Sequence, residues 1–94
     1  MSAQKTFNWS PDKNRLLVRE RGISFERIVF DISGGKELAV VEHPHQERYP
    51  GQKIALVQVE DYVHAVPFVE TDTEIFLNTI IPGRKATRQY RSKA

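Results

Sequence analysis

A change of hydrophobic period divides the chain into a helical first part and a strand-rich second part. Apolar and polar positions alternate over residues 7–9, which predicts a short first strand. Ser10 is a favourable N-cap for a first helix, and Gly22 provides its C-terminal stop. Ser24 begins a second helix, in which apolar residues recur at helical spacing until Gly34.

From residue 37 onwards the pattern is typical of β-structure. Four further strands are predicted, over residues 38–41, 54–59, 62–69 and 75–81. A polar loop from His43 to Gln52 follows the first of them, and short turns separate the others, which favours antiparallel pairing. Pro67 lies inside the third run and predicts a bulge or an unpaired side there.

These elements predict an α+β fold with one short N-terminal strand, two helices on one face, and then a four-stranded antiparallel meander. A single domain covers residues 1–94, because chains divide only well above this length. One strand carries apolar residues on both faces, since Ile54 and Leu56 alternate with Ala55 and Val57. We therefore expect the tail or another chain to cover the second face of the sheet.

Composition excludes several classes of function. The chain has no cysteine, which excludes a disulfide framework, thiolate metal sites and cysteine nucleophiles. No apolar run approaches the roughly 20 residues of a membrane-spanning helix, and residues 1–10 lack the apolar region of a signal peptide. We therefore expect a cytoplasmic protein without a membrane partner.

The net charge of +2 conceals an uneven distribution. Residues 1–81 carry nine Lys and Arg against 12 Asp and Glu, whereas the basic tail, residues 82–94, carries five Lys and Arg and no acid. A basic tail on a mildly acidic body indicates a phosphate-rich partner or an acidic protein surface. The alternative is a solvated, disordered tail.

Several segments resemble the motifs of one toxin family. They are residues 7–14 (FNWSPDKN), 22–26 (GISFE), 30–31 (FD), 47–48 (ER) and 80–88 (IIPGRKATR). On these segments the chain resembles the BrnT toxins of bacterial type II toxin–antitoxin systems, over nearly its whole length from Phe7 to Tyr90. It departs from the family where Glu20-Arg21-Gly22 replaces Lys-His-Gly and where Tyr90 replaces an acidic residue.

The resemblance implies a RelE-like fold and a toxin that inhibits translation by cleaving RNA without a metal. It implies that the partner is a ribbon-helix-helix antitoxin, in a heterotetramer or a larger complex. RNA would be the substrate, and operator DNA would be bound only through the antitoxin. No metal or other cofactor is expected.

The basic tail supplies the candidate cations for this chemistry. Metal-free RNA cleavage needs a base for the 2′-hydroxyl, cations around the pentacovalent phosphate, and an acid for the leaving 5′-oxygen. Arg84, Lys85 and Arg88 are the catalytic candidates, because they match the family motif and lie where a guanidinium can bind phosphate. Arg84 and Arg88 would share one face of a helical tail. The alternative is a tail that docks on the antitoxin.

The long polar loop carries further candidates. His43 is a candidate catalytic acid or base if it faces the basic cluster, because histidine titrates near neutral pH. Arg48 is a further catalytic candidate, and His45 and Tyr49 are candidates for RNA binding. Two alternatives stay open, namely exposed histidines without a function and a His-x-His metal site, although no other ligand set completes such a site.

Residues outside this loop complete the candidates. Tyr90 is a catalytic candidate because it stands beside the basic cluster at the family's acidic position. Lys13 and Arg91 are candidates for RNA binding through phosphate. Tyr62 could stack on a base or donate a proton, but it alternates with apolar residues in a strand, which favours packing. The same alternation favours a structural role for His64.

Two functions besides an RNA-cleaving toxin are compatible with these residues. The first is a nucleic-acid-binding or regulatory module that keeps the fold without cleavage, which the two departures from the family pattern favour. The second is a protein-binding scaffold whose basic tail meets an acidic partner.

Overall fold

Three helices and a mixed six-stranded sheet make up residues 5–92, the part of the chain that the computed structural model describes. The elements in chain order are β1 (Thr6–Trp9), α1 (Pro11–Arg21), α2 (Phe25–Ser33), β2 (Glu37–Glu42), β3 (Gln52–Val59), β4 (Tyr62–Glu70), β5 (Glu74–Leu77), β6 (Ile81–Pro82) and α3 (Arg84–Ser92). The predicted α+β class is confirmed. None of the helices in this part of the chain is long and apolar enough to cross a membrane.

The sheet has the strand order β1-β5-β4-β3-β2, and β6 also pairs with β4. The strands from β2 to β5 pair in chain order, and each of these pairs is antiparallel. β1 lies at the far edge and runs parallel to β5. Parallel pairing needs a long connection, which α1, α2 and the intervening strands provide.

Side chains at the two helix starts explain where the helices begin. The Ser10 hydroxyl accepts a hydrogen bond from the Lys13 amide at 3.2 Å, and the Ser24 hydroxyl accepts one from the Arg27 amide at 3.1 Å. Gly22 ends α1 with a φ of 67°, a left-handed conformation that favours glycine. The predicted caps and the end of α1 are therefore confirmed.

The hydrophobic core lies between the two N-terminal helices and one face of the sheet. Its buried side chains are Leu17, Phe25, Ile28, Ala55, Val57, Val59, Val66, Phe68, Leu77 and Ile80. Trp9 of β1 stacks on Phe25, with ring centroids 5.7 Å apart. Burial of this face fixes the strand register, because a slip of one residue would turn every core side chain of a strand outward.

The last predicted strand is divided in two opposite Pro67. β5 pairs with β4 at Phe68, and β6 pairs with it at Ala65, with a shift of one residue in register between them. Pro67 has no amide hydrogen, and its carbonyl accepts the Asn78 amide at 2.8 Å within this break. The expected irregularity at Pro67 is confirmed.

The basic tail is ordered along residues 82–92, where the end of β6 and α3 lie beside β4. A disordered tail is therefore contradicted for these residues, and Lys93 lies outside the described part. The second face of the sheet keeps apolar surface. On this face Ile54 is half-buried, and its strand partner Val41 is 46% exposed.

Candidate functional site

Three arginines of α3 line one cleft together with a tyrosine of β4. Arg84, Arg88 and Arg91 recur at intervals of four and three residues, which places them along one face of the helix. With Thr87 and Tyr62 they line an open cleft of about 360 Å³, here called the arginine cleft. Guanidinium groups around one small volume form a strong binding site for an anion.

The charge of α3 is not explained by the stability of the helix. Its first turn contains Arg84 and Lys85 and no acid. Cations at a helix N-terminus oppose the helix dipole, so they destabilise the helix slightly. They add instead to the positive potential around the arginine cleft, which favours a polyanionic ligand.

Hydrogen bonds hold α3 against the edge of β4. The Gly83 amide donates to the Val63 carbonyl at 2.9 Å. One turn later, the buried Thr87 hydroxyl accepts the Val63 amide at 2.8 Å and donates to the Val63 carbonyl at 3.3 Å. The hydroxyl thus pairs with the strand edge as a neighbouring strand would. A Cβ on Gly83 would lie 3.0 Å from the Val63 carbonyl oxygen, so glycine suits this close approach.

We expect Thr87→Val to loosen α3 from β4, because valine keeps the shape of threonine and removes the hydroxyl. Loss of this partner for the buried Val63 amide should lower the free energy of unfolding by about 1–3 kcal/mol. Urea denaturation measures the change. Thr87→Ser, which keeps the hydroxyl, is the matched control and should lose less; an equal loss in both variants would count against the hydroxyl.

Arg91 is oriented by the turn before β4. Its Nη2 atom donates to the Asp61 carbonyl at 3.3 Å and lies 3.5 Å from the Asp61 carboxylate. Both side chains are largely exposed, so the ion pair contributes little to stability. The contact holds the Arg91 guanidinium beside Asp61, which lines the cavity next to the arginine cleft.

Tyr62 and His64 lie on the same face of β4, because they are two residues apart in a strand. The His64 ring stands edge-on to the Tyr62 ring, with centroids 5.5 Å apart. Within residues 5–92, the His64 Nδ1 atom is buried and makes no hydrogen bond. Burial lowers the pKa of His64, although the Tyr62 backbone and the Asp31 carboxylate act in the opposite direction. Burial therefore favours the neutral form of His64.

Acid should destabilise the protein through His64. Its pKa in the folded chain lies below the ordinary value of about 6.5, so the unfolded state binds more protons as the pH falls. We expect the free energy of unfolding to fall between about pH 7.5 and about pH 5.5, and to fall less in His64→Gln. Urea denaturation at both pH values measures the two differences. The same fall in both proteins would show that His64 is not the cause.

The candidates of the long loop form a cluster of their own. Between ring centroids, His43 lies 4.5 Å from Tyr49 and 5.9 Å from His45. The Arg48 guanidinium lies 5.8 Å from the Tyr49 ring. Gln46 holds the loop in shape through three hydrogen bonds between its side chain and the loop backbone.

This loop cluster and the arginine cleft lie at opposite ends of β3. The loop enters β3 at Gln52, whereas Gln58 lies beside Thr87 and Tyr90 near the other end. Six residues of extended strand separate these ends by roughly 20 Å. The structure therefore does not bring His43 to the basic cluster within one chain. His43 was a candidate acid or base only if it faced this cluster, and within one chain it does not.

The other predicted site residues lie at different distances from the cleft. Tyr90 lines a neighbouring cavity of about 170 Å³ that shares Thr87 and Arg91 with the arginine cleft. Lys85 is exposed and lines neither cavity. Lys13 is half-buried in the first turn of α1.

Tyr62 is the residue of the cleft that sequence analysis assigned to packing. Alternation with apolar neighbours in a strand fits a packing role and a site role equally well. Strand pairing gives the missing signal. A hairpin turn at residues 70–74 makes the chain that follows run back along β4. The residues after Ile81 then lie beside the start of β4, next to Tyr62.

The described residues form no metal site, and comparison with known proteins identifies no relative of the chain. Within residues 5–92, no group of three His, Cys, Asp or Glu side chains is placed to hold a metal ion. The chain matches no protein-family model, no curated protein and no solved structure. The chemistry of the arginine cleft therefore follows from its own residues.

Proposed function

We propose that this chain is a toxin of a bacterial toxin–antitoxin system that cleaves RNA at the arginine cleft without a metal ion. The observation that carries the proposal is the convergence of Arg84, Arg88 and Arg91 on one cleft. Cations in the first turn of α3, where they oppose the helix dipole, support a role in binding phosphate. The resemblance to BrnT toxins, with their RelE-like fold, supports RNA as the substrate.

The arginines supply the electrostatic part of this reaction. The 2′-hydroxyl loses its proton and attacks the adjacent phosphorus, and the bond from phosphorus to the 5′-oxygen breaks. The products are a 2′,3′-cyclic phosphate and a 5′-hydroxyl, which forms when the leaving 5′-oxygen takes up a proton. Solvent water accepts the proton of the 2′-hydroxyl and supplies the proton of the 5′-oxygen. Negative charge grows on the phosphoryl oxygens in the transition state, and a guanidinium fork stabilises it. We assign this role to Arg84 and Arg88, and we assign a neighbouring phosphate to Arg91.

We infer that a ribbon-helix-helix antitoxin neutralises the toxin, in a heterotetramer or a larger complex, and that operator DNA is bound only through it. Apolar surface on the second sheet face supports a protein partner, because Val41 and Val69 are 46% and 37% exposed. Acidic side chains of such a partner would complement the arginine cleft.

A nucleic-acid-binding module without cleavage is the second candidate, and the positions of the histidines favour it. The loop that carries His43 and His45 lies roughly 20 Å along β3 from the cleft. His64 is not among the residues that line the cleft. The cleft would then bind phosphate without an imidazole to transfer protons.

Incubation of the purified chain with a short single-stranded RNA tests the proposed reaction. We expect cleavage to continue in EDTA and to give 2′,3′-cyclic phosphate ends. The matched control has the same sequence with deoxyribose throughout, so it lacks the attacking hydroxyl and should stay intact. Binding without cleavage would support the second candidate. Cleavage of the deoxy control, or loss of cleavage in EDTA, would rule out the mechanism.

Expression in a bacterial host tests the role as a toxin. We expect growth arrest with loss of translation. Co-expression of a small ribbon-helix-helix protein encoded beside the chain should relieve the arrest. Harmless expression of a chain that still binds RNA would leave the binding module as the function.

A further inference from the structure

The arginine cleft has room for more than a phosphate group. Its volume of about 360 Å³ lies at the lower end of the ~300–1,000 Å³ range of small-molecule sites. Cations line most of it, but Tyr62 adds an aromatic ring. The cleft thus combines groups that bind phosphate with one flat apolar surface.

The Tyr62 ring is supported from one side. His64 stands edge-on to it, with ring centroids 5.5 Å apart, and is itself half-buried. Near His64 lies the buried Asp31, whose carboxylate accepts a hydrogen bond from Arg27 at 2.8 Å. Tyr62 is only half-buried, so part of its surface remains accessible from the cleft. A ring that is held in advance loses little entropy when a second ring stacks on it.

Building on the proposed function, we propose that Tyr62 is a stacking platform for one nucleobase of the RNA whose phosphates the arginines of α3 bind. Arg84 and Arg88 lie beside Tyr62 in the same cleft, so a phosphate and a base of one nucleotide can be bound together. Aromatic side chains serve as platforms for any base, because every base has a π-face.

The platform implies a preference for single-stranded RNA over duplex RNA. A base can stack on Tyr62 only when it has left its neighbours, which costs little in a single strand. Duplex RNA keeps its bases paired and stacked inside the helix, so it offers the cleft only phosphates and sugars. The aromatic ring therefore adds a selectivity that the arginines alone do not have.

Fluorescence anisotropy with a short labelled oligouridine measures the contribution of the ring. The probe carries 2′-O-methyl groups, which remove the attacking hydroxyl and prevent cleavage. We expect Tyr62→Leu to weaken binding about 5- to 150-fold, as the loss of one stacked base does, and Tyr62→Phe to stay within about twofold of the wild type. Wild-type affinity in Tyr62→Leu would overturn the proposal.

Salt dependence separates stacking from phosphate binding. Tyr62→Leu should leave the slope of log affinity against log salt unchanged, because no charge is lost. Arg84→Ala should reduce that slope by about one. If Arg84→Ala weakens binding and Tyr62→Leu does not, the proposal of base stacking on Tyr62 is wrong, whereas the proposed function is not contradicted. If the wild-type chain does not bind the probe, both proposals are wrong.

Tyr62→Trp provides a test that does not depend on lost binding. Stacking of uracil on the new indole should quench its fluorescence in parallel with the anisotropy, above a constant signal from Trp9, which stacks on Phe25. Unchanged emission at saturating RNA would overturn the proposal. A duplex of the same length should bind the wild type more weakly than the single strand, and Tyr62→Leu should reduce this difference. A difference of the same size in Tyr62→Leu would also overturn the proposal.

Discussion

Replacing Arg84 with alanine is expected to slow RNA cleavage by about 100- to 1,000-fold, the effect of removing one donor aimed at transition-state charge. Arg84 lines the arginine cleft from the first turn of α3. Initial rates on saturating single-stranded RNA measure the loss. The fold should survive, because the change removes a cation from a helix N-terminus where it is unfavourable, and urea denaturation checks this.

Two further variants make the Arg84 result specific. Arg19→Ala removes an exposed arginine of α1 that does not line the cleft, and its rate should stay close to that of the wild type. Lys85→Ala distinguishes the prediction made from the sequence motif from the prediction made from the cleft geometry. The sequence motif predicts a loss as large as that of Arg84, whereas the position of Lys85 outside the cleft lining predicts a smaller one. A normal rate in Arg84→Ala would refute the assignment of the cleft.

Replacing Phe25 with alanine is expected to lower the free energy of unfolding by about 3–5 kcal/mol, a large share of the stability of a small domain. Phe25 begins α2, has no exposed surface and stacks on Trp9. Its removal leaves a cavity, because the close-packed surroundings collapse only in part. Urea denaturation measures the loss, and Phe25→Leu should give a smaller loss of the same sign.

Phe30→Ala is the matched control in the same helix. Phe30 is 70% exposed, so its removal should change the free energy of unfolding by no more than about 0.5 kcal/mol. Comparable losses in the two variants would mean that α2 does not present Phe25 to the sheet and Phe30 to solvent.

Most helix boundaries could be predicted from the sequence because local signals and burial agree. Ser10, Gly22 and Ser24 act through hydrogen bonds and backbone angles within a few residues of themselves. A short stretch of sequence is therefore enough to predict the helix ends that they form. The helical state of the tail could not be predicted in this way. Residues 84–92 have no apolar stripe, and the helix is held by the Thr87 hydroxyl at Val63, a contact across 24 residues.

The candidate site could be predicted only in part. The motif and the charge of the tail identify Arg84 and Arg88 as catalytic candidates and Arg91 as an RNA-binding candidate without a structure, but they also identify Lys85, which does not line the cleft. The position of His43 relative to them depends on the length and direction of β3, which separates the loop from α3. Distances between elements depend on how the elements pack, so a short stretch of sequence does not predict them.

Among the described residues, α3 adds no apolar side chain to the buried core, and its buried residue Thr87 is attached through hydrogen bonds. Local opening of this helix therefore exposes little apolar surface and requires less free energy than global unfolding. Four of the five residues that line the arginine cleft belong to α3, so the cleft exists only while the helix is docked. Ligand binding and helix docking are thus linked equilibria. A bound polyanion should therefore slow amide hydrogen exchange in α3, and also in those β3 amides that exchange only by global unfolding, because both openings release the ligand.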